Sequence, residues 1–282
     1  MVLKAKYLPN CLYFIDNLST PKMGREFCFE IKNKKLLYFY IRDYKGGKRM
    51  TQNALLELSP DLIDKLHECP MYTFNGHCVP RATTILSNTL PNEAIVFWAN
   101  NLGFKGIGYR QELNRLAAIG TLTHNQIEEY LGKDIYPEEP TPSFESFLQW
   151  WEKVNGLGKN VSVVCMEKKM ACPWYGGTMD MLLDIEGFKL LVDFKTSSSV
   201  SYRYILQLTA YKNLMEVNGL GSPNGILVLQ LPRDGSGYKE YSYSYSIPEH
   251  AEFLNHAEEN FFQLVKSYWY TKIGEDMFKR CL

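Results

Sequence analysis

Within residues 176–197, Gly-Gly-Thr-Met-Asp-Met-Leu-Leu-Asp-Ile-Glu-Gly-Phe-Lys-Leu-Leu-Val-Asp-Phe-Lys-Thr-Ser, carboxylates stand at Asp180 and Asp193 and an amine at Lys195. Glu186-Gly187 separates two apolar runs and suits a tight hairpin turn. Pairing Ile185 with Phe188 and counting outward sets Asp180 opposite Asp193, and a symmetric four-residue loop gives the same register. Cβ atoms of facing strand residues lie about 4.5–5.5 Å apart, so the two carboxylates can share one ligand. Like charges so placed repel each other, and a divalent cation removes the penalty; oxygen donors at this spacing suit Mg²⁺ or Mn²⁺. Lys195 falls on the same face, where an ammonium can orient an attacking water or stabilise charge growing on a phosphoryl oxygen. Metal, carboxylates and amine together are the equipment of phosphodiester hydrolysis.

The alternation supports that register. Met181, Leu183, Ile185, Phe188, Leu190, Val192 and Phe194 fall on one side, all apolar, and a one-residue slip would mix the faces. The triplet acid-x-Lys alone is weak, because the chain holds four, at Glu30, Asp43, Glu167 and Asp193. Only the one at Asp193 closes an apolar strand, faces a carboxylate in hairpin register and leads into a helix. A lone strand carboxylate is ordinarily a solvated surface group; the constellation is what makes these two candidates.

The elements that must position them follow from periodicity. Residues 71–86 alternate in two runs around Asn75-Gly76, which predicts a hairpin. A helix is expected over 91–104 and another over 108–133, where Leu113, Leu116, Ala117, Ile127 and Leu131 recur at helical spacing with Gly120 and His124 on the same stripe. The acidic, Pro-rich stretch 134–145 reads as a surface connection, and a short helix follows it. Residues 161–170, 178–185 and 188–197 read as three successive strands, then a helix over 201–217, strands at 226–231 and 238–246, and a closing helix. Tyr241, Tyr243 and Tyr245 share one face, as expected of a packing surface on an edge strand.

The first 70 residues differ in character. Short apolar runs separated by turn-prone segments predict strands there, and Ser59-Pro60 opens a short helix. Between Lys22 and Arg49 nine Lys/Arg meet three Asp/Glu, interleaved with Phe27, Phe29, Tyr38, Phe39, Tyr40 and Tyr44. Cations bind phosphates and aromatic faces stack bases, so this is a candidate single-strand platform; a solvated sheet face with core aromatics is the equal alternative. His67, Cys69, His77 and Cys78 match no standard zinc spacing, and no zinc site is expected.

Bulk composition narrows the class. Charge balances at 31 Lys/Arg against 31 Asp/Glu, so a polyanion must be held by a local patch. Seven scattered cysteines argue against a disulfide framework. No signal-like or membrane-spanning stretch is apparent, and a cytoplasmic location is expected.

The ordered pieces resemble the PD-(D/E)xK nuclease superfamily, in its RecB-type exonuclease branch with the phage exonucleases and CRISPR adaptation nucleases. The resemblance runs from about Tyr72 to Leu231: a hairpin entering "VPRATTIL", a helix with "GTLTH", then "GGTMD", "VDFKTS" and "QLTAY". It implies an α/β, restriction-endonuclease-like core with a central mixed sheet flanked by helices, here spanning 71–282, with a helical part at 71–155 and a catalytic sheet core at 156–282. A β-rich basic extension would occupy 1–70. It implies metal ligands at His124, Asp180, Asp193 and the carbonyl of Phe194, catalysis by Asp180, Asp193 and Lys195, and nucleic-acid contact by Gln207 and Tyr211. Glu167 matches a supporting acidic position on the preceding strand. Gln207 and Tyr211, four apart, share a helix face in any case. A histidine on an apolar stripe is by itself most often a packed core residue; beside two carboxylates and a lysine, His124 becomes a ligand candidate, with Glu128 one turn on as a partner for its ring.

Two departures stand out. The CRISPR-type members hold an iron–sulfur cluster with three cysteines near the C-terminus; here only Cys281 lies there, so no cluster is expected. The lead into Asp180 is Tyr-Gly-Gly-Thr-Met rather than Pro. The expectation is a Mg²⁺- or Mn²⁺-dependent hydrolase of DNA, acting from single-stranded or frayed ends in recombination, repair or replication, with room for a helicase or recombination partner and no membrane. A structure-specific endonuclease or resolvase, or a catalytically silent nucleic-acid-binding subunit of a recombination complex, remain the alternatives.

Overall fold

The computed structural model describes residues 72–91 and 93–282. The expected N-terminal strands, the basic aromatic platform, the helix opened by Ser59, and His67 and Cys69 lie outside the described residues.

Two compact units divide the chain, and Pro80–Val265 forms one of them. The other includes a short hairpin, β1 (Thr73–Phe74) and β2 (His77–Cys78), turned by Asn75 and Gly76. Both turn residues have positive φ, 50° and 85°, the requirement of the type I′ turn that Asn-Gly favours.

In the larger unit the elements run α1 (Ala82–Thr89), α2 (Glu93–Phe104), α3 (Tyr109–Lys133), α4 (Pro142–Asn155), β3 (Val161–Ala171), β4 (Gly176–Ile185), β5 (Phe188–Lys195), α5 (Tyr202–Val217), β6 (Gly225–Gln230) and β7 (Lys239–Ser244); α6 (Pro248–Cys281) starts in this unit, and its residues from Lys266 on belong to the other. The five strands form one mixed sheet in sequence order, with β5 and β6 parallel and the other pairs antiparallel. Helix α5 is the crossover that a parallel pair needs. No helix among the described residues is long and apolar enough to cross a membrane.

The β4–β5 hairpin adopts the expected register, Ile185 with Phe188 through Met181 with Val192. Its turn residues Glu186 and Gly187 have φ of 53° and 86°, again the type I′ signature. The apolar face of this hairpin, Met181, Leu183, Val192 and Phe194, packs on Ile127 of α3 and on Phe144, Phe147, Trp150 and Val154 of α4. The opposite face is buried as well. Leu182 and Leu191 lie there, and α5 covers it with ten buried residues from Ile205 to Met215. Asp180 and Asp193 therefore sit beneath a helix rather than in water, at 7% and 0% exposure.

Two expectations need correction. Residues 82–89 form helix α1 rather than continuing the second hairpin strand. Thr83, Thr84 and Ile85 favour strands, yet the buried positions Ala82, Ile85 and Leu86 follow a helical spacing, and tertiary burial overrides the local preference. Arg203 of α5 holds that helix's end, donating to the carbonyls of Leu86, Leu90 and Pro91 at 3.0, 2.5 and 3.1 Å. The apolar stripe of α3 is also not one core face. Leu113 is exposed, and the fully packed positions begin at Thr123, Gln126 and Ile127. Strand β7 is the sheet edge; Tyr243 packs on His250 and Phe253, as the Tyr/Ser alternation predicts.

Candidate metal and catalytic site

Four elements bring the candidate residues together. On α3 a buried polar network fixes the turn that carries His124. Thr141, the N-cap of α4, accepts from the Phe144 amide at 3.2 Å and donates to Gln126 Oε1 at 2.8 Å, and its hydroxyl lies 3.0 Å from that of Thr123. Thr123 and Gln126 flank His124, so the cap of one helix sets the rotation of the other. The imidazole stacks edge-on against Phe194 of β5, centroids 5.6 Å apart.

Strand β3 contributes Glu167. A register shift between Val163 and Cys165 advances the pairing by one residue, and Met166–Met181 and Lys168–Met179 pair beyond it. That register aligns Glu167 with Asp180. Glu167 has φ of 44°, the left-handed region seldom occupied by a residue with a Cβ, and backbone outliers of this kind concentrate at functional sites.

His124 Nδ1 stands 3.6 Å from Glu167 Oε1 and 3.8 Å from Asp180 Oδ1. One donor atom from each of the three lies within 4.8 Å of the others. Donors each about 2.0–2.2 Å from a common ion stand roughly 3–4 Å apart, so a nitrogen and two carboxylate oxygens spaced in this way could hold a metal ion. Asp180 is held by its other oxygen, which accepts from the Phe194 amide at 2.7 Å. The Phe194 carbonyl lies 3.3 Å from His124 Nε2, so it faces the ring's other nitrogen.

Asp193 belongs to an adjoining group. Its carboxylate receives Lys195 Nζ at 2.9 Å on Oδ1 and 2.7 Å on Oδ2, and Gln207 Nε2 at 3.0 Å on Oδ1. Oδ2 is buried and, despite the close ammonium, lacks a hydrogen bond of acceptable geometry among the described residues. Gln207 also donates to the Tyr211 hydroxyl at 3.0 Å. The Lys195 ammonium sits 4.9 Å from the ring centre of Tyr204, a residue the sequence did not single out.

The electrostatics show what the site demands. Burial pushes the Asp180 carboxyl up, against the pull of His124 and Lys195. Burial raises Asp193 to about 6, with Lys195 opposing and Asp180 adding its repulsion. Burial works against a charged His124, yet the Asp180 charge and the hydrogen bond and charge of Glu167 win and raise the ring to about 9. Burial likewise opposes a charged Lys195, and Asp193 and Asp180 overcome it, holding the ammonium above its ordinary range. Three carboxylates here draw positive charge to themselves, the same demand that a divalent cation meets.

The structure thus joins His124, Glu167 and Asp180 in one cluster and Asp193, Lys195, Gln207 and Tyr211 in the next, with Phe194 touching both Asp180 and His124. It leaves Glu128 outside, exposed, while both His124 nitrogens face other atoms. Gly177 belongs to the glycine pair that leads into Asp180. A Cβ there would run into the Tyr211 ring, so β4 needs glycine for the tyrosine to lie against it.

Fold and site define an α/β protein whose five-stranded mixed sheet, together with helix α3, carries a His-Glu-Asp cluster that could hold a metal ion. No family model matches the chain, and no curated protein does. Among solved structures it is similar to SSO0001, with a TM-score of 0.30 and 13% identity over 72% of this chain and 85% of that one. It is likewise similar to LHK-Exo in complex with dAMP, with a TM-score of 0.29 and 12% identity over 71% of this chain and 94% of that one. Likeness at this level carries no function across.

Proposed function

We propose that this chain is a metal-dependent deoxyribonuclease of the PD-(D/E)xK superfamily, RecB-type branch, hydrolysing phosphodiesters from single-stranded or frayed DNA ends. One observation carries the reading. A His-Glu-Asp donor trio adjoins a buried Asp193 paired with Lys195, both supplied by the end of β5.

His124, Glu167 and Asp180 would hold the ion, with Asp193 and the Phe194 carbonyl as further donors. Carboxylates suit Mg²⁺ and Mn²⁺, and the imidazole tilts the balance toward Mn²⁺. When bound, the ion supplies Lewis acidity toward the phosphate and lowers the pKa of water. The protein does the rest. Lys195, 18% exposed and clasped by Asp193, presents a cation that can orient the attacking water and counter charge growing on the phosphoryl oxygens. Gln207, fixed between Asp193 and Tyr211, keeps the carboxylate from turning. The Phe194 amide does the same for Asp180. Residues 1–70, with their basic aromatic run, serve in this reading as a DNA platform.

The test is incubation of end-labelled single- and double-stranded DNA with Mg²⁺ or Mn²⁺, with and without chelator, beside closed single-stranded circles. Metal-dependent loss of linear DNA with circles intact is expected. Cleavage of the circles would move the assignment to an endonuclease, and no metal-dependent cleavage of any DNA would remove it.

A further inference from the structure

Sheets with parallel strands bind ligands beyond the carboxyl ends of those strands. In this sheet the parallel pair is β5 and β6, which end together at Lys195 and Gln230. The chain leaving β6 is tied firmly to that end. The Leu231 amide donates to the Lys195 carbonyl at 2.8 Å, the Leu231 carbonyl accepts from Ser143 Oγ at 2.8 Å, and Gln230 Nε2 donates to the Ser197 carbonyl at 2.9 Å. A turn closed by the Gly235 amide on the Pro232 carbonyl, 3.1 Å, then presents Arg233.

Arg233 is partly buried, and its Nε is shut off from water with no hydrogen-bond partner among the described residues. A buried guanidinium nitrogen left without an acceptor is costly, and such groups in a native protein call for a ligand or a role. The groups within electrostatic reach of it are Tyr204, Arg115 and Glu112. Glu112 is already engaged by Arg115, at 2.8 and 2.7 Å, so the only carboxylate among those neighbours is matched to another cation. Burial lowers the Arg233 pKa, and the Arg115 charge adds to that effect. Tyr204 is the ring against which Lys195 lies, and its hydroxyl donates to Ser197 Oγ at 3.2 Å. Arg233 thus follows closely on Leu231, which is hydrogen-bonded to Lys195, and its Nε has no partner among the described residues.

We propose that Arg233 grips a backbone phosphate of single-stranded DNA next to the phosphodiester held at His124, Asp180 and Lys195, and so sets the register of the strand over the site. This rests on the nuclease reading given above. A guanidinium fork matches phosphate oxygens two at a time, and an anion at Nε would supply the acceptor missing among the described residues. Arg233 acts here as a positioning residue for substrate.

The test uses the full chain and a fluorescent single-stranded oligonucleotide, with chelator present so that binding is read without cleavage. Arg233→Ala should weaken binding by about tenfold or more, and the slope of log Kd against log salt should fall by about 0.7, the value of one phosphate contact on a single strand. Arg233→Lys, which keeps the charge but not the fork, should restore the slope and only part of the affinity. Should the alanine variant melt early, Arg233→Gln is read in its place. Unchanged Kd and slope in a folded variant would overturn the proposal, as would absence of binding by the natural chain. Metal-dependent cleavage together with an inert Arg233 leaves the nuclease reading standing and removes this inference alone. An Arg233-dependent binding curve without any cleavage removes the nuclease reading and, with it, the setting of register over a scissile bond, leaving only the phosphate contact.

Discussion

The backbone amide of Phe194 donates to Asp180 Oδ2 at 2.7 Å, and the carbonyl of the same residue lies 3.3 Å from His124 Nε2. One peptide segment of β5 therefore sets the orientation of a carboxylate on β4 and touches an imidazole on α3. Phe194's own ring is anchored in the core against Phe147, centroids 5.7 Å apart. The His-Glu-Asp cluster is thereby tied to the buried core of the sheet.

Asp180→Asn keeps shape and loses charge. The proposed ion loses one of two clustered carboxylates, and Mn²⁺ affinity should drop by more than about tenfold. Calorimetric titration checks this directly. In the unaltered chain Mn²⁺ at a hundred times Kd should stabilise the fold by about 2.7 kcal/mol, and the same concentration should stabilise the variant by only about 1.4 kcal/mol or less, with a correspondingly smaller rise in Tm. Equal affinity in both proteins would place the metal elsewhere.

Lys195→Ala should lower cleavage by roughly 10²–10³-fold, the scale of losing one charge-stabilising donor. It also strands the buried Asp193 carboxylate, at a cost of about 3–5 kcal/mol. Lys195→Met combined with Asp193→Asn removes both charges and should recover most of that stability while remaining inactive. Single-turnover cleavage and denaturant melts on the two variants separate catalysis from folding. Activity returning with stability would make Lys195 a structural residue.

Gly177→Ala should destabilise by about 1–3 kcal/mol, because the new methyl would run into the Tyr211 ring. The displacement travels along a known chain of contacts, since the Tyr211 hydroxyl accepts from Gln207 and Gln207 holds Asp193. Weaker activity at temperatures where the variant is still folded is expected. A variant with native stability and rate would show that the ring shifts freely.

Alkaline stability should depend on Cys172. Burial raises its thiol from the ordinary 9.0 to about 12, with the amides of Trp174 and Tyr175 pulling the other way. The unfolded chain loses this proton near pH 9 and the folded one only near 12. Its contribution is therefore complete below about pH 9 and lost as pH climbs toward 12, at up to about 1.4 kcal/mol per unit. Burial moves Tyr175 in the same direction from its ordinary 10.0. Denaturant unfolding from pH 8 to 11 should show the decline, and Cys172→Ala should flatten part of it. Identical slopes in both proteins would refute the assignment.

By itself the sequence determined the β4–β5 hairpin. Strand alternation has a period of two and Glu186-Gly187 accepts positive φ at both positions, so turn and pattern allow a single register, and the chain adopts it. It determined likewise that α5 carries Gln207 and Tyr211 on one face, since a spacing of four on a helix is purely local. Tertiary structure decided what local periods do not encode. It buried Asp193 under α5, and it drew Glu167 rather than Glu128 to His124, because a bulge in β3 and the cap of α4 set which groups face the ring. It also turned residues 82–89 into a helix and left the Arg233 Nε without an acceptor among the described residues. Those outcomes depend on contacts between segments far apart in the chain, whose energies no local propensity contains.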